Sequence, residues 1–455
     1  MTRVGGGYAS RPTTDTKVRD MKNFVSIAAA TATLASMPVV TAADELTIAT
    51  VNNGHMITMQ QLAPEFIEDN PNITLNWVTF NEAELREEVT RDIAEGGGQF
   101  DVMTIGMYEA PIWGERGLLA PLNFSAEYQE DDLLPAIRDG LSYDGTLFAA
   151  PFYGESSMIM YRSDLMQSAG ITLGSNPNWD EVIAAAAAMT DQANGTYGIC
   201  LRGKPGWGDN MAFLTTMANS FGAQLFDENW RPALDSEEWN TAVSLYIDTL
   251  TKYGPPGSEG NSFNEILSLF NEGRCGMWID ATIAASFITD PDQSQVAGDV
   301  AFAQAPSGVT NKGANWLWAW ALAVPAGSNA TIEATTFIEW ATSQAYIELV
   351  GQQRGWGQVP TGTRQSTYRN AQFQEAALFA DAELNAILSA DPTDSTLNAS
   401  PYVGVQFASI PEFADIGGYM GQQMTAALQG DLSVDEALAN AQAYAENAMQ
   451  EAGYY

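Results

Sequence analysis

The 455-residue chain is short of basic charge, cysteine and histidine: 19 Lys and Arg face 56 Asp and Glu, with two Cys and one His. A formal net charge of −37 excludes attraction to nucleic acid or to an anionic membrane surface, and it repels strongly anionic substrates at long range. It reads as a solvated acidic shell suited to a saline habitat. Cys200, Cys275 and His55 cannot assemble a metal framework at their spacings. They also leave few parts for a Ser-His-Asp or Cys-His arrangement. There is no GxSxG elbow, HExxH, P-loop or strand-linked GxGxxG. Long apolar runs are lacking too. The stretch from Phe24 to Val40 is too short, and too rich in Ala, Ser and Thr, to favour a membrane span.

That stretch reads instead as part of a leader. From Met21 the chain runs "MKNFVSIAAATATLASMPVVTAADEL", a short basic start at Lys22, an apolar run, then small residues at Thr41, Ala42 and Ala43. This is the layout of a secretory signal peptide cleaved after Ala42 or Ala43. No cysteine stands at the cleavage point, which argues against a lipid anchor. Residues 1–20 look like neither signal nor domain and read as an upstream extension, leaving 21–43 as the signal. Cutting after Ala42 removes five basic residues (Arg3, Arg11, Lys17, Arg19, Lys22) and two acidic ones (Asp15, Asp20), so the net charge moves from −37 to −40. The chain is therefore expected to be exported to an oxidising compartment. There, Cys200 and Cys275 could form one disulfide or remain two buried thiols.

A hydrophobic content of 45%, with 12 Trp, 16 Tyr and 19 Phe, argues against disorder, and the length suits two lobes better than one core. Strand and helix patterns alternate. "ELTIATV", "ITLNWVTF" and "FDVMTIG" read as strands, separated by amphipathic helices in "MITMQQLAPEFIED" and "EAELREEVTRDIAEGGG". This βαβαβ order predicts a parallel sheet with right-handed crossovers. From Tyr153 a second α/β unit follows. Its strands are "SMIMYRSDL", "TYGICLR", "RCGMWID" and "DVAFAQAP", and its helices include "WNTAVSLYIDTLTKYG" and "FNEILSLFNEG". A strand in "ANWLWAWALAVP" precedes one long helix, "TIEATTFIEWATSQAYIELVGQQ", and a mostly helical C-terminal region. No repeat, heptad pattern or low-complexity linker interrupts the series.

Ligands of open parallel sheets bind at the carboxyl ends of strands. That rule selects "NNGHM", "MYEAPIW", "GKPGWGDN" and "DATIAAS". These loops carry amides, carboxylates, indoles and phenols, the mixture a hydroxyl-rich ligand needs. Each residue also has a structural reading: Asn52 and Asn53 shape a turn, His55 is a surface or capping residue, Asp280 is a helix N-cap, and Trp278 is strand core. Carboxylate pairs such as Asp101 with Glu109 or Glu155 could cleave glycosides, but among so many acids such a pair carries little weight. Trp316, Trp318 and Trp320 share one face of an extended strand, as core, as a ligand platform, or as both.

The segments "ATVNNGHMITMQ", "FDVMTIGMYEAPIW", "APFYGESSMIMYRSDL", "GICLRGKPGWGDNMA", "CGMWIDATIAAS", "NWLWAWALAVP" and "QQRGWGQVPTGTR", in this order, resemble the extracellular solute-binding proteins of carbohydrate ABC importers. The resemblance is to the polyol (sorbitol/mannitol) branch and covers 44–455. It implies an α/β, two-lobed periplasmic-binding-protein fold, each lobe a mainly parallel sheet flanked by helices, with the ligand cleft between lobes and three chain crossings. One lobe would be 44–153 plus 304–358, the other 154–303 plus 359–455. It implies no enzyme activity and no cofactor or metal. The partners would be a small neutral polyol or sugar and a membrane permease, with the receptor itself a monomer. Matching segments make Asn53, His55, Tyr108, Glu109, Glu155, Arg202, Trp207, Trp278, Asp280, Trp316, Trp318 and Arg354 the ligand candidates, with Trp320 deeper in the core. An acidic residue is expected where His55 stands; if His55 touches ligand, affinity falls as pH drops through about 6–7. A secreted glycoside hydrolase or lyase, and an adhesive surface protein, are the rival classes.

Overall fold

The computed structural model describes residues 44–455; the leader and extension assigned to residues 1–43 lie outside them. The first half of the fold follows the sequence pattern closely. Strand β1 (Asp44–Val51) leads into α1 (Gly54–Asp69), β2 (Ile73–Phe80) into α2 (Glu82–Ala94), and β3 (Val102–Ile105) into α3 (Glu109–Glu115). Met56, Met59, Leu62 and Phe66 of α1 are buried at three- and four-residue spacing, the apolar stripe that docks a helix on a sheet. Asn81 caps α2 by accepting a hydrogen bond from Glu84 N, so the helix begins directly at the carboxyl end of β2.

Two sheets form. In the larger, β4 (Ala149–Glu155) and β8 (Trp318–Ala323) complete the order β2-β1-β3-β8-β4. The smaller places β5 (Ser157–Arg162) between β6 (Met277–Ala281) and β7 (Val300–Gln304). Only Ser156 separates β4 from β5, so the chain passes from one sheet to the other almost without a loop. Around the small sheet lie α4 (Asn210–Ser220), α5 (Glu237–Tyr253), α6 (Phe263–Asn271) and α7 (Ala284–Ile288). After β8 come α8 (Thr331–Ala341), α9 (Gln344–Arg354), α10 (Ala380–Ser389), α11 (Phe413–Gln429) and α12 (Val434–Glu451).

Three expectations are corrected. The sheets are not mainly parallel: β8 runs antiparallel to both β3 and β4, and β5 runs antiparallel to β6 and β7. The cause is topological. β5 and β8 each enter their sheet from the junction and run away from it, whereas β1, β2, β3, β4, β6 and β7 run toward it. Second, "TYGICLR" makes only isolated bridges, parallel from Tyr197 to Cys275 and Cys200 to Trp278 and antiparallel from Thr196 to Asp191, as an edge segment carrying the Cys200–Cys275 disulfide. Third, the long helix after β8 is two helices: Ser343 accepts from Tyr346 N and caps a new start, which breaks the run more effectively than its periodicity extends it.

The crossings are bound to one another. Ser156 Oγ donates to Trp316 O at 2.7 Å, Asn315 Nδ2 donates to Ser157 O at 2.6 Å, and Gly154 N donates to Thr361 O at 2.9 Å. A Cβ on Gly154 would lie 2.2 Å from Gly362 O, so only glycine permits this approach. Among the described residues no helix is long and apolar enough to cross a membrane, and no His/Cys/Asp/Glu group could hold a metal.

Candidate ligand-binding site

Between the two sheets, the carboxyl ends of β2 and β4 and the start of β8 face the Arg202–Ala212 segment. A narrow cavity there is lined by Glu82, Arg86, Glu155, Arg202, Trp207, Gly208, Ala212, Trp316, Trp318, Trp320 and Gln406. Its free volume is about 20 Å³, room for one water. Outside it, beyond Arg86, Trp207 and Gly208, opens a cleft of about 660 Å³ between α2 and α11.

The cavity has an indole floor. Trp318 and Trp320 lie edge to face, ring centres 5.6 Å apart, and Trp207 meets Trp318 at 5.7 Å. The Arg86 guanidinium sits 4.4 Å over Trp207, 4.6 Å over Trp320 and 5.2 Å over Trp318, a cation held by ring quadrupoles. A Cβ at Gly106 would lie 1.8 Å from the Trp318 ring, so this glycine makes room for that indole. Gln406 Nε2 donates to Leu317 O and its Oε1 accepts from Leu317 N, replacing a missing strand neighbour between Trp316 and Trp318.

The charged groups divide into used and unused. Arg202 donates through Nε and Nη2 to the two oxygens of Asp280, at 2.8 and 2.7 Å. Asp280 also accepts from Trp278 Nε1 and Ala281 N. Burial opposes the Arg202 charge, yet the Asp280 carboxylate holds its pKa above the ordinary range. Glu82 lies 3.8 Å from both Arg86 and Arg202, and burial pushes its carboxyl up. Glu155 is buried, has no hydrogen-bond partner among the described residues, and is pushed well above the usual carboxylate range by desolvation, which Arg202 only partly offsets. Trp316 Nε1, Trp318 Nε1 and Arg86 Nε are likewise buried without a partner.

Of the sequence candidates, Glu155, Arg202, Trp207, Trp316 and Trp318 meet in this cavity. The others lie elsewhere. Tyr108 and Glu109 line the outer cleft; Tyr108 Oη donates toward Ile410 O and Pro411 O, and Glu109 accepts from Gly106 N. Trp278 is core, packed on Phe263 and Phe270, and Asp280 behind it has its oxygens filled. Asn53 Nδ2 donates to Tyr153 Oη at 2.8 Å. His55 is wedged beside Ser286, Phe287 and Tyr153, where burial pushes its pKa down to about 3. His55 does not line this cavity. Arg354, in the last turn of α9, is exposed and bonds Gln61 on α1. Trp320 is corrected in the other direction: it lines the cavity. Asp101 precedes β3, at the opposite end of the sheet from Glu109, and accepts from Thr47 N and Ser328 Oγ; it cannot form a catalytic pair there.

Glu82 and Arg86 were missed. In sequence, the first turns of α2 look like a solvated charged face. The carboxyl-end rule applied to β2 would have found them, because α2 begins where that strand ends.

The sequence from 52 to 348 matches the model of the bacterial extracellular solute-binding proteins, and a mannitol-binding protein of Pseudomonas aeruginosa is 50% identical over 435 residues. The chain belongs to this family. That Pseudomonas relative is covered for 100% of its length and this chain for 95%. An ABC transporter solute-binding protein from Agrobacterium vitis, solved with bound D-mannitol, is 54% identical with a TM-score of 0.89, covering 90% of this chain and 99% of that one. A solute-binding protein from Agrobacterium radiobacter in complex with ribitol shares 23% identity at a TM-score of 0.79, covering 89% and 98%. At that identity the likeness is one of fold, and the fold of the family is two-lobed, with the cavity between lobes.

Proposed function

We propose that this chain is the periplasmic receptor of an ABC importer and captures a sugar alcohol of the hexitol class, with D-mannitol the first candidate, for delivery to a membrane permease. The observation that carries the reading is the set of unpartnered buried N–H groups on one cavity, those of Trp316, Trp318 and Arg86, beside the buried Glu155 carboxyl. Each such group costs about 1–3 kcal/mol while unsatisfied. A polyol has oxygens to accept from the N–H groups and hydroxyls to donate to Glu155 and Glu82, while its C–H faces lie on the indoles. Arg202 is committed to Asp280, which favours a neutral ligand over an anion. The Pseudomonas mannitol-binding protein and the Agrobacterium vitis protein solved with D-mannitol point the same way.

The cavity has room for only one water, so a hexitol enters only if Arg86 leaves the indole faces or the lobes part. Ligand then favours the closed arrangement by differential affinity rather than by chemistry. In this reading the lobes are 44–153 with 304–358 and 154–303 with 359–455, the receptor is a monomer, and residues 21–43 are its export signal. A thermal-shift screen over hexitols, pentitols, hexoses and disaccharides, with product analysis, tests it. Stabilisation by hexitols without turnover is expected. Product formation, or stabilisation by none of these sugars, would reject it.

A further inference from the structure

His55 lies outside the cavity, but its position is not an idle one. It stands in the first turn of α1, directly after β1 of the larger sheet, while Ser286 and Phe287 stand in α7, directly after β6 of the smaller one. The ring approaches Ser286 Oγ at 3.2 Å through Nε2 and Phe287 at 4.8 Å between ring centres. Neighbouring atoms share the interface: a Cβ on Gly54 would come within 2.4 Å of the Phe287 ring, and Asn264 Nδ2 of α6 donates to Asn52 O at 3.1 Å. The stretch 52–55 is thus a surface on which one lobe rests against the other. From this geometry we infer that His55 is a closure residue, and that lobe closure, and ligand capture with it, requires its imidazole to be neutral.

The hydrogen bonds fix the form of the ring. Ser286 Oγ already donates to Ile283 O at 2.9 Å, so its oxygen accepts and His55 Nε2 carries the proton. A second proton would place a buried cation at the N-terminal end of a helix dipole. The groups packed on the ring are Tyr153 from β4 and Ser286 and Phe287 from α7. None of these can balance a cation between pH 5 and 8, since burial holds the Tyr153 phenol well above its ordinary value. Burial alone accounts for the lowered basicity of His55.

When the lobes part, the ring reaches water and returns to the ordinary histidine value of about 6.5. The sign follows from linkage. Protons bind the open form more strongly, so closure weakens below about pH 6.5, by about tenfold per unit and about 30-fold at pH 5. The cavity carboxyls act oppositely. Burial raises Glu82 and Glu155 in the closed form, so their titration strengthens closure as pH falls. A loss of affinity on acidification is therefore specific to His55.

The inference rests on the polyol reading and deepens it. His55 is the only histidine, so its imidazole NMR signals are assigned without ambiguity. In the ligand-free chain they should titrate near pH 6.5; saturated with D-mannitol, the ring should stay neutral down to pH 5. In calorimetry, the ratio of the wild-type mannitol Kd to that of His55→Gln should rise about 30-fold from pH 7.5 to pH 5.0. The carboxyl contribution cancels in that ratio, whatever the variant's affinity at pH 7.5. An unchanged His55 titration with and without mannitol, or a wild-type pH slope in His55→Gln, overturns the inference while leaving the receptor reading intact. No mannitol heat at pH 7.5 overturns the receptor reading and this inference with it.

Discussion

Trp318 and Trp320 sit side by side under the Arg86 guanidinium, so both indoles are expected to act on ligand affinity. Trp318→Ala should weaken mannitol binding by at least ~100-fold, about 3 kcal/mol, with circular dichroism unchanged. Trp320→Ala should weaken binding and also lower Tm, because its buried ring packs edge to face on Trp318 and lies under Arg86. Retained affinity in both variants would remove the indole floor from the site. Glu383 supplies a test that involves no ligand. It is fully buried, accepts from Thr361 Oγ1 at 2.7 Å and Tyr368 Oη at 2.8 Å, and burial pushes its pKa up to about 7. A folded value above the unfolded one, near 4.3, means that its stabilising contribution is complete at low pH and is lost as pH rises through about 7. Glu383→Gln should therefore gain stability relative to wild type at pH 8 compared with pH 5, by up to ~3 kcal/mol, in urea titrations at the two pH values. At this scale the sequence could say which residue types occupied the strand ends, but not which were already engaged. Asp280 looked free in "WIDAT"; Arg202, 78 positions earlier, fills both its oxygens.

At the scale of elements, the legible parts were those whose partners are close in sequence. β2 coincides with "ITLNWVTF", and α1 and α2 follow their apolar stripes. What could not be read was the direction in which a strand joins a distant sheet: nothing local distinguishes β8, which runs away from the junction, from β3, which runs toward it. The edge segment around Cys200 reads as a strand, yet it makes only isolated bridges and carries a cross-link. Its disulfide to Cys275 spans 75 residues, for which loop-closure entropy corresponds to ~4 kcal/mol. Cys200→Ser with Cys275→Ser should lower stability by a few kcal/mol in denaturant titrations, with a smaller effect on ligand affinity well below Tm. A variant as stable as wild type would show that the edge segment is held by packing alone.

For the whole molecule, the proposed function makes the cavity a two-state device. Arg86 and Glu82 come from the larger sheet's side, Trp207, Gly208 and Arg202 from the smaller one's, and they meet only when the lobes are together. Small-angle scattering should accordingly record a smaller radius of gyration with saturating mannitol than without it. The same dimension in both conditions would contradict closure by ligand. The direct measurement of the central claim is a calorimetric titration of the purified chain with D-mannitol and with its C2 epimer, sorbitol. Buried donors and acceptors that fit one pattern of hydroxyls are left unpaired by another, at about 1–3 kcal/mol each. The account predicts saturable binding at one site, with dissociation constants that differ by tenfold or more between the two hexitols. Absence of heat with both, or equal affinity for both, would contradict it.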